Sequence, residues 1–280
     1  MNLKIEDIAE FKSLSKQIRK DVLESITRAG SGHTGGSLGL ADVMTALYFN
    51  ILNHKPDNPH WPERDRLILS IGHVAPVLYA ALARSGYFPV EELKTLRQLD
   101  SRLQGHPGRD HGLPGLELSA GSLGQGLSVA VGMALAAKMD KKSYQIFSIH
   151  GDGELQEGSI WEAAMSAGHH KLDNLIAIVD RNEVQIDGKT EEVMGLEPLS
   201  DKWKSFRWEV FDCDGHDFRD LLTTLQQAKD FKGKPTVVLA RTRMGKGVQS
   251  IENNHLWHGK APTSDQLAEF LKELEEGDEV

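Results

Sequence analysis

Apolar residues along the chain follow two different spacings, and each spacing predicts one kind of element. Between Ile5 and Ile26 they recur at three- and four-residue steps, which predicts an amphipathic helix that stops at the glycine-rich break after Gly30. Helical patterns also predict helices over residues 41–52, 74–85, 90–99, 159–169 and 217–229, and the small apolar residues of 127–137 suit a buried helix. Short apolar runs predict strands over residues 67–71, 144–150, 175–180, 208–211 and 236–240.

Strands and helices alternate through the middle of the chain. This order predicts a three-layer α/β fold, in which a mostly parallel sheet is covered by helices on both faces. Ligands bind such sheets at the carboxyl ends of the strands. A last helix is predicted in the tail, where Thr263 and Gln266 form a capping box. We therefore divide the chain into a main domain over residues 1–262 and a C-terminal helix over residues 263–280, which packs on that domain or on a partner.

The composition narrows the classes of function. The chain of 280 residues has a net charge of −9, which argues against a nucleic-acid partner. Its longest apolar run, residues 129–137, is far shorter than the roughly 20 residues of a membrane span, so no membrane partner is expected. The single cysteine, Cys213, fits a reducing compartment and predicts a cytoplasmic location. The 27 glycines and 12 histidines stand out, and several histidines lie beside glycines.

Two strand ends carry oxygen ligands for a hard cation. Gly151-Asp152-Gly153 follows one predicted strand, and Asn182 follows the next. The Asp152 carboxylate, the Asn182 amide oxygen and a backbone carbonyl near Val184 would supply three of the about six oxygens that Mg2+ prefers. Phosphate oxygens could complete the shell, because the glycines let a phosphate approach the backbone. The sequence therefore predicts a magnesium and phosphate site at these strand ends.

The same segment resembles a known family. Residues 151–188, GDGELQEGSIWEAAMSAGHHKLDNLIAIVDRNEVQIDG, are similar to the thiamine diphosphate motif of transketolases, which begins with GDG and ends with Asn. Six further blocks resemble transketolase blocks in the family order: SGHTGGSLG, IGHVAP, QGHPG, GSLGQGLSVAVGMA, RTRMGKG and WHGKAP. One departure is Thr34, which stands where the family more commonly has proline. Together the blocks cover nearly the whole chain.

The resemblance implies a thiamine diphosphate-binding fold and a role for each matching residue. The Mg2+ ligands would be Asp152, Asn182 and the carbonyl of Val184, and Ca2+ or Mn2+ could substitute for the magnesium. The cofactor-binding residues would be His73, Gly121, Leu123, Gly151, Asp152, Gly153, Glu157, Asn182 and His258. The catalytic set would be His33, His73, His106, His258 and Glu157, the last being a buried glutamate near a dimer interface. Histidines suit proton transfer and hydrogen bonds to sugar hydroxyls, because they titrate near neutral pH.

The resemblance also implies a reaction and a missing half. Transketolases use thiamine diphosphate and Mg2+ to move a two-carbon ketol unit from a ketose phosphate to an aldose phosphate. In that family the cofactor lies between this diphosphate-binding domain and a pyrimidine-binding domain of another protomer. Only 18 residues follow Pro262, too few for that second domain. We therefore expect a split enzyme, in which this N-terminal subunit works only with a separate C-terminal subunit, in an α2β2 heterotetramer.

Three other interpretations stay open at this point. The α subunit of a 2-oxoacid dehydrogenase also pairs GDG with Asn and needs a separate β subunit, but the SGHTGG, GHPG and WHGKAP blocks favour transketolase. Deoxyxylulose-phosphate synthases share the SGH block but normally occur as one long chain. A non-catalytic, transketolase-like interaction protein would not require the intact set of Asp152, Asn182 and histidines, so that set argues against it.

Overall fold

The structure of the chain, a computed structural model, describes residues 7–277. Ile5 at the start of the first predicted helix, and the ends of the predicted main domain (1–262) and C-terminal helix (263–280) beyond this range, lie outside the described residues. The helices are α1 (Ile8–Ala29), α2 (Thr34–Gly39), α3 (Ala41–Ala46), α4 (Ala75–Arg84), α5 (Gly126–Met139), α6 (Gly158–His169), α7 (Thr190–Val193), α8 (Leu199–Ser205), α9 (Phe218–Asp230) and α10 (Ser264–Glu276). The strands are β1 (Arg66–Leu69), β2 (Ile146–Gly151), β3 (Leu175–Arg181), β4 (Val184–Gln185), β5 (Gly188–Lys189), β6 (Glu209–Asp214) and β7 (Thr236–Arg241).

The central sheet consists of five parallel strands in the order β1-β2-β3-β7-β6. Gly151 at the end of β2 pairs with Asp180 of β3, and Arg181 at the end of β3 pairs with Arg241 of β7. The segments that follow these three strands therefore start side by side at one edge of the sheet. A short antiparallel hairpin of β4 and β5 follows β3 along the chain.

The two faces of the sheet pack against different helices, because side chains alternate along each strand. In β3, Ile176 and Ile178 join an apolar core that includes residues of α1, α3, α4 and α9. Ala177 and Val179 point the other way and join a second core with α5, α6 and α8. The predicted three-layer α/β fold with a parallel sheet is therefore confirmed.

Three elements differ from the sequence prediction. Residues 90–99 form only a 3₁₀ turn over Val90–Thr95, because Leu96 is extended (ψ 127°) and Arg97 adopts a left-handed φ of 59°. The helix predicted over residues 41–52 ends in a π-helix, Leu47–Ile51. The glycine-rich break after Gly30 is followed almost at once by α2, which is too short, at six residues, for periodicity to reveal it.

The C-terminal helix α10 packs on the rest of this chain. Thr263 and Gln266 form the predicted capping box at its start. The Phe270 ring lies edge-on to Trp257 with centroids 5.2 Å apart, and Leu274 is buried as well. The division of the chain at residue 262 stays a prediction. Within residues 7–277, no helix combines the length and the apolar character that crossing a bilayer requires.

Candidate active site

A cleft of about 390 Å³ opens at the carboxyl ends of β2 and β3. Its lining includes all twelve residues that the sequence singled out, namely His33, His73, His106, Gly121, Leu123, Gly151, Asp152, Gly153, Glu157, Asn182, Val184 and His258. These residues come from segments spread over most of the chain, so the fold alone brings them together. Their chemical roles stay predictions, and their geometry is described next.

Asp152 begins the 3₁₀ turn that follows β2, and its side chain is buried. Its Oδ1 accepts a hydrogen bond from the Gly153 N–H (2.7 Å). Its Oδ2 accepts from the Glu183 N–H (2.6 Å) and from Nη1 of Arg181 (3.1 Å). Burial raises the pKa of Asp152 to about 6, although the positive charge of Arg181 and these hydrogen bonds act in the opposite direction.

Asn182 is held in place by its neighbours in the chain. Its Nδ2 donates to Oδ2 of Asp180 (2.9 Å), and its Oδ1 accepts from the Val184 N–H (2.9 Å). Asp180, which the sequence marks only as a strand residue, also lines the cleft and accepts a hydrogen bond from Thr242. Burial raises the pKa of Asp180 to about 7, and the charge of Asp152 contributes to that rise. Its signal in the sequence was a carboxylate at the end of a buried strand, two residues before Asn182.

These residues fit a hard divalent cation. A carboxylate has about four lone-pair positions and an amide oxygen has two, so Asp152 and Asn182 keep acceptor capacity beyond the bonds just described. Val184 lines the same cleft. Asp152 and Asp180 are both buried and have raised pKa values, so an added positive charge beside them would be favourable. Oxygen ligands of this kind suit Mg2+.

Four histidine rings converge in the cleft. The ring centroids are 4.8 Å apart for His33 and His73, 5.1 Å for His73 and His258, 5.7 Å for His33 and His258, and 6.3 Å for His33 and His106. Burial lowers the pKa of every one, and the neighbouring rings help to bring the pKa of His73 to about 3 and that of His33 to about 4. At neutral pH the rings are therefore uncharged, and each can donate from one nitrogen and accept at the other. His33 Nδ1 is buried and has no hydrogen-bond partner among the described residues, which leaves it free for a ligand.

A close backbone approach places His73 beside the other rings. A Cβ added at Gly72 would lie 2.8 Å from the backbone carbonyl carbon of Ala120. Glycine at this position therefore lets the turn before His73 lie directly against the segment that leads to Gly121 and Leu123. The sequence showed only that several glycines lie beside histidines, and at Gly72 the structure shows that close packing requires the glycine.

Glu154, a buried carboxylate of the GDG segment that the sequence did not single out, connects three segments beside the cleft. Its Oε1 accepts hydrogen bonds from the Gly124 N–H (2.8 Å) and from the hydroxyl of Ser70. Its Oε2 lies 3.1 Å from Nδ1 of His150, which is buried near the end of β2. The Ser70 hydroxyl in turn accepts from the Gly126 N–H (3.1 Å). Glu154 thus ties the turn after β2 to the glycine-rich turn and to the end of β1.

The expectation that Glu157 is buried near a dimer interface stays a prediction, because the structure contains a single chain. Glu157 is exposed, because it precedes α6 at the open side of the cleft and nothing in the described part of the chain covers it. The buried glutamate of this segment is Glu154. Seven further lining residues were not predicted as site residues, namely Gly36, Ile71, Val74, Gln156, Gln185, Ile186 and Met244. Ile186 is 62% exposed, which is unusual for a large apolar side chain beside a polar cleft.

Comparison with known proteins agrees with this geometry. Residues 11–276 match the family described as "Transketolase, thiamine diphosphate binding domain". The chain belongs to the transketolase family. Its blocks from SGHTGGSLG to WHGKAP are therefore blocks of a transketolase sequence, and its sheet with the cleft at the strand ends is a transketolase thiamine diphosphate-binding domain.

Two similar transketolase subunits have nearly the same length as this chain. A 6-deoxy-6-sulfo-D-fructose transketolase subunit from Clostridium sp. (strain MSTE9) is 48% identical over 270 residues, which are 96% of this chain and 98% of that protein. An apulose-4-phosphate transketolase subunit from Phocaeicola vulgatus is 44% identical over 94% of this chain and 92% of that protein. The transketolase crystal structure from Campylobacter jejuni superposes with a TM-score of 0.86 at 34% identity, over 97% of this chain but only 47% of that one.

Proposed function

We propose that this chain is the N-terminal subunit of a split transketolase, which moves a two-carbon ketol unit from a ketose phosphate to an aldose phosphate with thiamine diphosphate and Mg2+. One observation carries the proposal: oxygen ligands suited to Mg2+ and four uncharged histidines line a single cleft. The membership of the transketolase family supports it, and so do the two similar subunits of matching length.

The residues of the cleft would divide the work between cofactor and sugar. Asp152, Asn182 and the Val184 carbonyl would hold the metal, with Ca2+ or Mn2+ as substitutes for Mg2+, and would thereby hold the diphosphate. Bound thiamine diphosphate supplies a carbon nucleophile that can take up and release the two-carbon unit.

The remaining lining residues would orient the reactants. Gly153 and His73 would lie beside the diphosphate, and Gly121 and Leu123 beside the aminopyrimidine. His33, His106 and His258 would bind sugar hydroxyls. Because the rings are uncharged, each of them can accept a proton at one nitrogen and donate one from the other, and so move protons to and from the sugar oxygens.

The other half of the site would come from a separate C-terminal subunit that carries the pyrimidine-binding domain. This chain matches less than half of the Campylobacter jejuni transketolase, and Glu157 and Ile186 are exposed at the open cleft. We infer that the partner covers both residues in an α2β2 heterotetramer. The cytoplasmic location expected from the single cysteine stays a prediction.

Mixing the purified subunits tests the proposal. We expect two-carbon transfer only when this chain, the C-terminal subunit, thiamine diphosphate and Mg2+ are all present. Chelation should abolish the transfer, and Mg2+, Ca2+ or Mn2+ should restore it. Transfer by this chain alone would contradict the split arrangement. Decarboxylation of pyruvate by the complex, without ketol transfer, would identify a 2-oxoacid dehydrogenase component instead.

A matched pair of histidine variants tests the role of the cleft. His258→Ala should lower the turnover of the assembled enzyme with little effect on folding. His255→Ala is the control, because His255 begins the 3₁₀ turn that His258 caps but does not line the cleft. Equal turnover of the two variants, in complexes that unfold at the same temperature, would remove His258 from the catalytic set.

A further inference from the structure

Thr34 joins two of the histidine segments of the cleft. It directly follows His33 as the first residue of α2, and its side chain is fully buried. Its hydroxyl donates a hydrogen bond of 2.6 Å to the backbone carbonyl oxygen of Lys260, which lies two residues after His258. The bond therefore connects two segments that are distant in the chain, each of which carries a histidine of the cleft.

The backbones of the two segments lie close together around this bond. A Cβ added at Gly35 would lie 3.1 Å from the carbonyl oxygen of Trp257, and one added at Gly259 would lie 3.6 Å from Cδ2 and Nε2 of His33. The rings of His33 and His258 stand edge-on, with an interplanar angle of 88°. A shift of either segment would therefore change how the two rings face each other.

The two segments differ in how the rest of the chain holds them. The carbonyl oxygen of His33 accepts a hydrogen bond of 2.7 Å from the Ser37 hydroxyl, within the first turn of α2. His258 follows a 3₁₀ turn and donates its N–H back into that turn (2.9 Å). Among the described residues, no hydrogen bond other than that from Thr34 reaches residues 259–262. The Thr34 hydroxyl thus makes the one hydrogen bond that fixes this segment against the start of α2.

The hydroxyl distinguishes Thr34 from the residue that the family more commonly has there, which is proline. A proline fits the first position of a helix, and it also fits the extended backbone of His33 before it (φ −113°, ψ 91°). A proline has no side-chain donor, however, so it would leave the carbonyl oxygen of Lys260 without this bond. In this chain the threonine therefore links the two segments as well as starting the helix.

We propose that Thr34 is a positioning residue, whose hydroxyl holds His258 at the distance from His33 at which both rings act on the same sugar substrate. This inference rests on the proposed transketolase function. Thr34 does not itself line the cleft, so it acts through His258 and not on the substrate. A displacement of about 1 Å in a reacting group can lower a rate about 100-fold, so a bond that fixes the separation of two such groups affects kcat.

Steady-state kinetics of the assembled complex test the proposal. Thr34→Val keeps the shape of the side chain without the hydroxyl, and we expect kcat to fall roughly three- to tenfold, as for the loss of one hydrogen bond, with KM within about twofold. Thr34→Ser keeps the hydroxyl and should keep kcat within about twofold of wild type. Thr45→Val is the control and should leave kcat unchanged, because Thr45 is equally buried but donates to the Ala41 carbonyl of its own helix (2.7 Å).

A double-mutant cycle shows whether Thr34 acts through His258. In a His258→Ala background, Thr34→Val should change kcat by less than about twofold, because the ring that it positions is gone. Urea denaturation should show the same loss of stability from Thr34→Val in both backgrounds. Thr34→Pro also lacks the hydroxyl and should lower kcat as far as Thr34→Val, which supplies a second test if the valine variant does not fold.

The size of the fall in kcat in each variant decides the outcome. An equal fall from Thr34→Val in both backgrounds, or an equal fall in Thr45→Val, would overturn the proposal, because Thr34 would then support the fold in general. Unchanged kcat in Thr34→Val, with an active wild type, would overturn this inference alone. An inactive wild-type complex would overturn the proposed function together with this inference, and full activity of His258→Ala would overturn the role of His258 and this inference with it.

Discussion

Replacing Glu154 by alanine should destabilise this chain more than any exposed acidic substitution. The carboxylate is 2% exposed and bonds the Gly124 N–H, the Ser70 hydroxyl and His150. The Ser70 hydroxyl can rotate to another acceptor, but the Gly124 amide and the His150 ring are fixed by the backbone and by burial. Truncation therefore leaves two buried polar groups without a partner.

The magnitude follows from those two groups. A buried donor left unsatisfied costs about 1–3 kcal/mol, so Glu154→Ala should lower the free energy of unfolding by about 2–6 kcal/mol. Glu154→Gln keeps an oxygen for Gly124 and Ser70, and its amide can face His150 if that ring changes tautomer. Its cost should be about 1–2 kcal/mol. Since a folded domain is stable by about 5–15 kcal/mol, the alanine variant removes a large fraction of the total.

Urea denaturation followed by circular dichroism measures these differences, with Glu162→Ala, an exposed change on α6, as the control. The pH dependence adds a second check. Burial alone would raise the pKa of Glu154, but the hydrogen bonds and charge of His150, with those of Ser70 and Gly124, hold the pKa below its ordinary value of 4.5. Its stabilisation is therefore complete above pH 4.5 and is lost as the pH falls through the folded-state pKa. A Glu154→Ala chain as stable as the Glu162→Ala control at pH 7 would refute the reasoning.

Three further predictions concern packing, titration and metal. Gly168→Ala should lower the free energy of unfolding by about 3 kcal/mol or more, because its Cβ would overlap the Phe206 carbonyl oxygen. Gly132→Ala should raise it by about 0.5–1 kcal/mol, because a Cβ there would have nothing within 4 Å. Urea denaturation should therefore show changes of opposite sign, and equal changes would contradict the packing. His73, with a pKa of about 3, should not titrate above about pH 5 in NMR spectra. The free energy of unfolding should fall as the pH drops below 6.5, because His73 then binds a proton in the unfolded chain but not in the folded chain. A titration midpoint near 6.5 would exclude the burial of His73. Asp152→Asn should weaken the Mg2+-dependent binding of thiamine diphosphate to the assembled complex by about 100-fold or more in calorimetry, and an unchanged Kd would remove Asp152 from the metal ligands.

The sheet was predictable because each of its central strands is a short apolar run with a simple signal. Residues 175–180 are apolar up to the final aspartate, and the strand is observed over Leu175–Arg181. By contrast, the six-residue helix α2 and the π-helix after α3 depend on packing that no local period encodes. Arg97 illustrates the same limit, since its left-handed backbone ended a predicted helix and is not a property of arginine.

The lining of the cleft was predictable where a residue belonged to a motif, and was missed where its role depends on three-dimensional contacts. Asp152 and Asn182 were recognised because a carboxylate and an amide oxygen follow two successive predicted strands. Glu154 lies two residues after Asp152, yet its importance comes from Gly124 and Ser70, which are distant in sequence. Burial also needs the fold: Glu154 is buried within the chain, whereas Glu157 is exposed in the single chain and its burial at an interface stays a prediction.

The lining of the cleft comes from segments that begin at His33 and end at His258, across the central sheet. No short stretch of the chain could therefore bind a ligand in this way before the sheet edge is complete. A ligand of the cleft binds the native state only, so its binding energy adds to the global stability, by about 2.7 kcal/mol at a concentration of 100 Kd. The thermal unfolding temperature of the whole chain therefore reports how much of the cleft is occupied by ligand. When the subunit binds its cofactor and its partner, its unfolding temperature should rise as the site is completed.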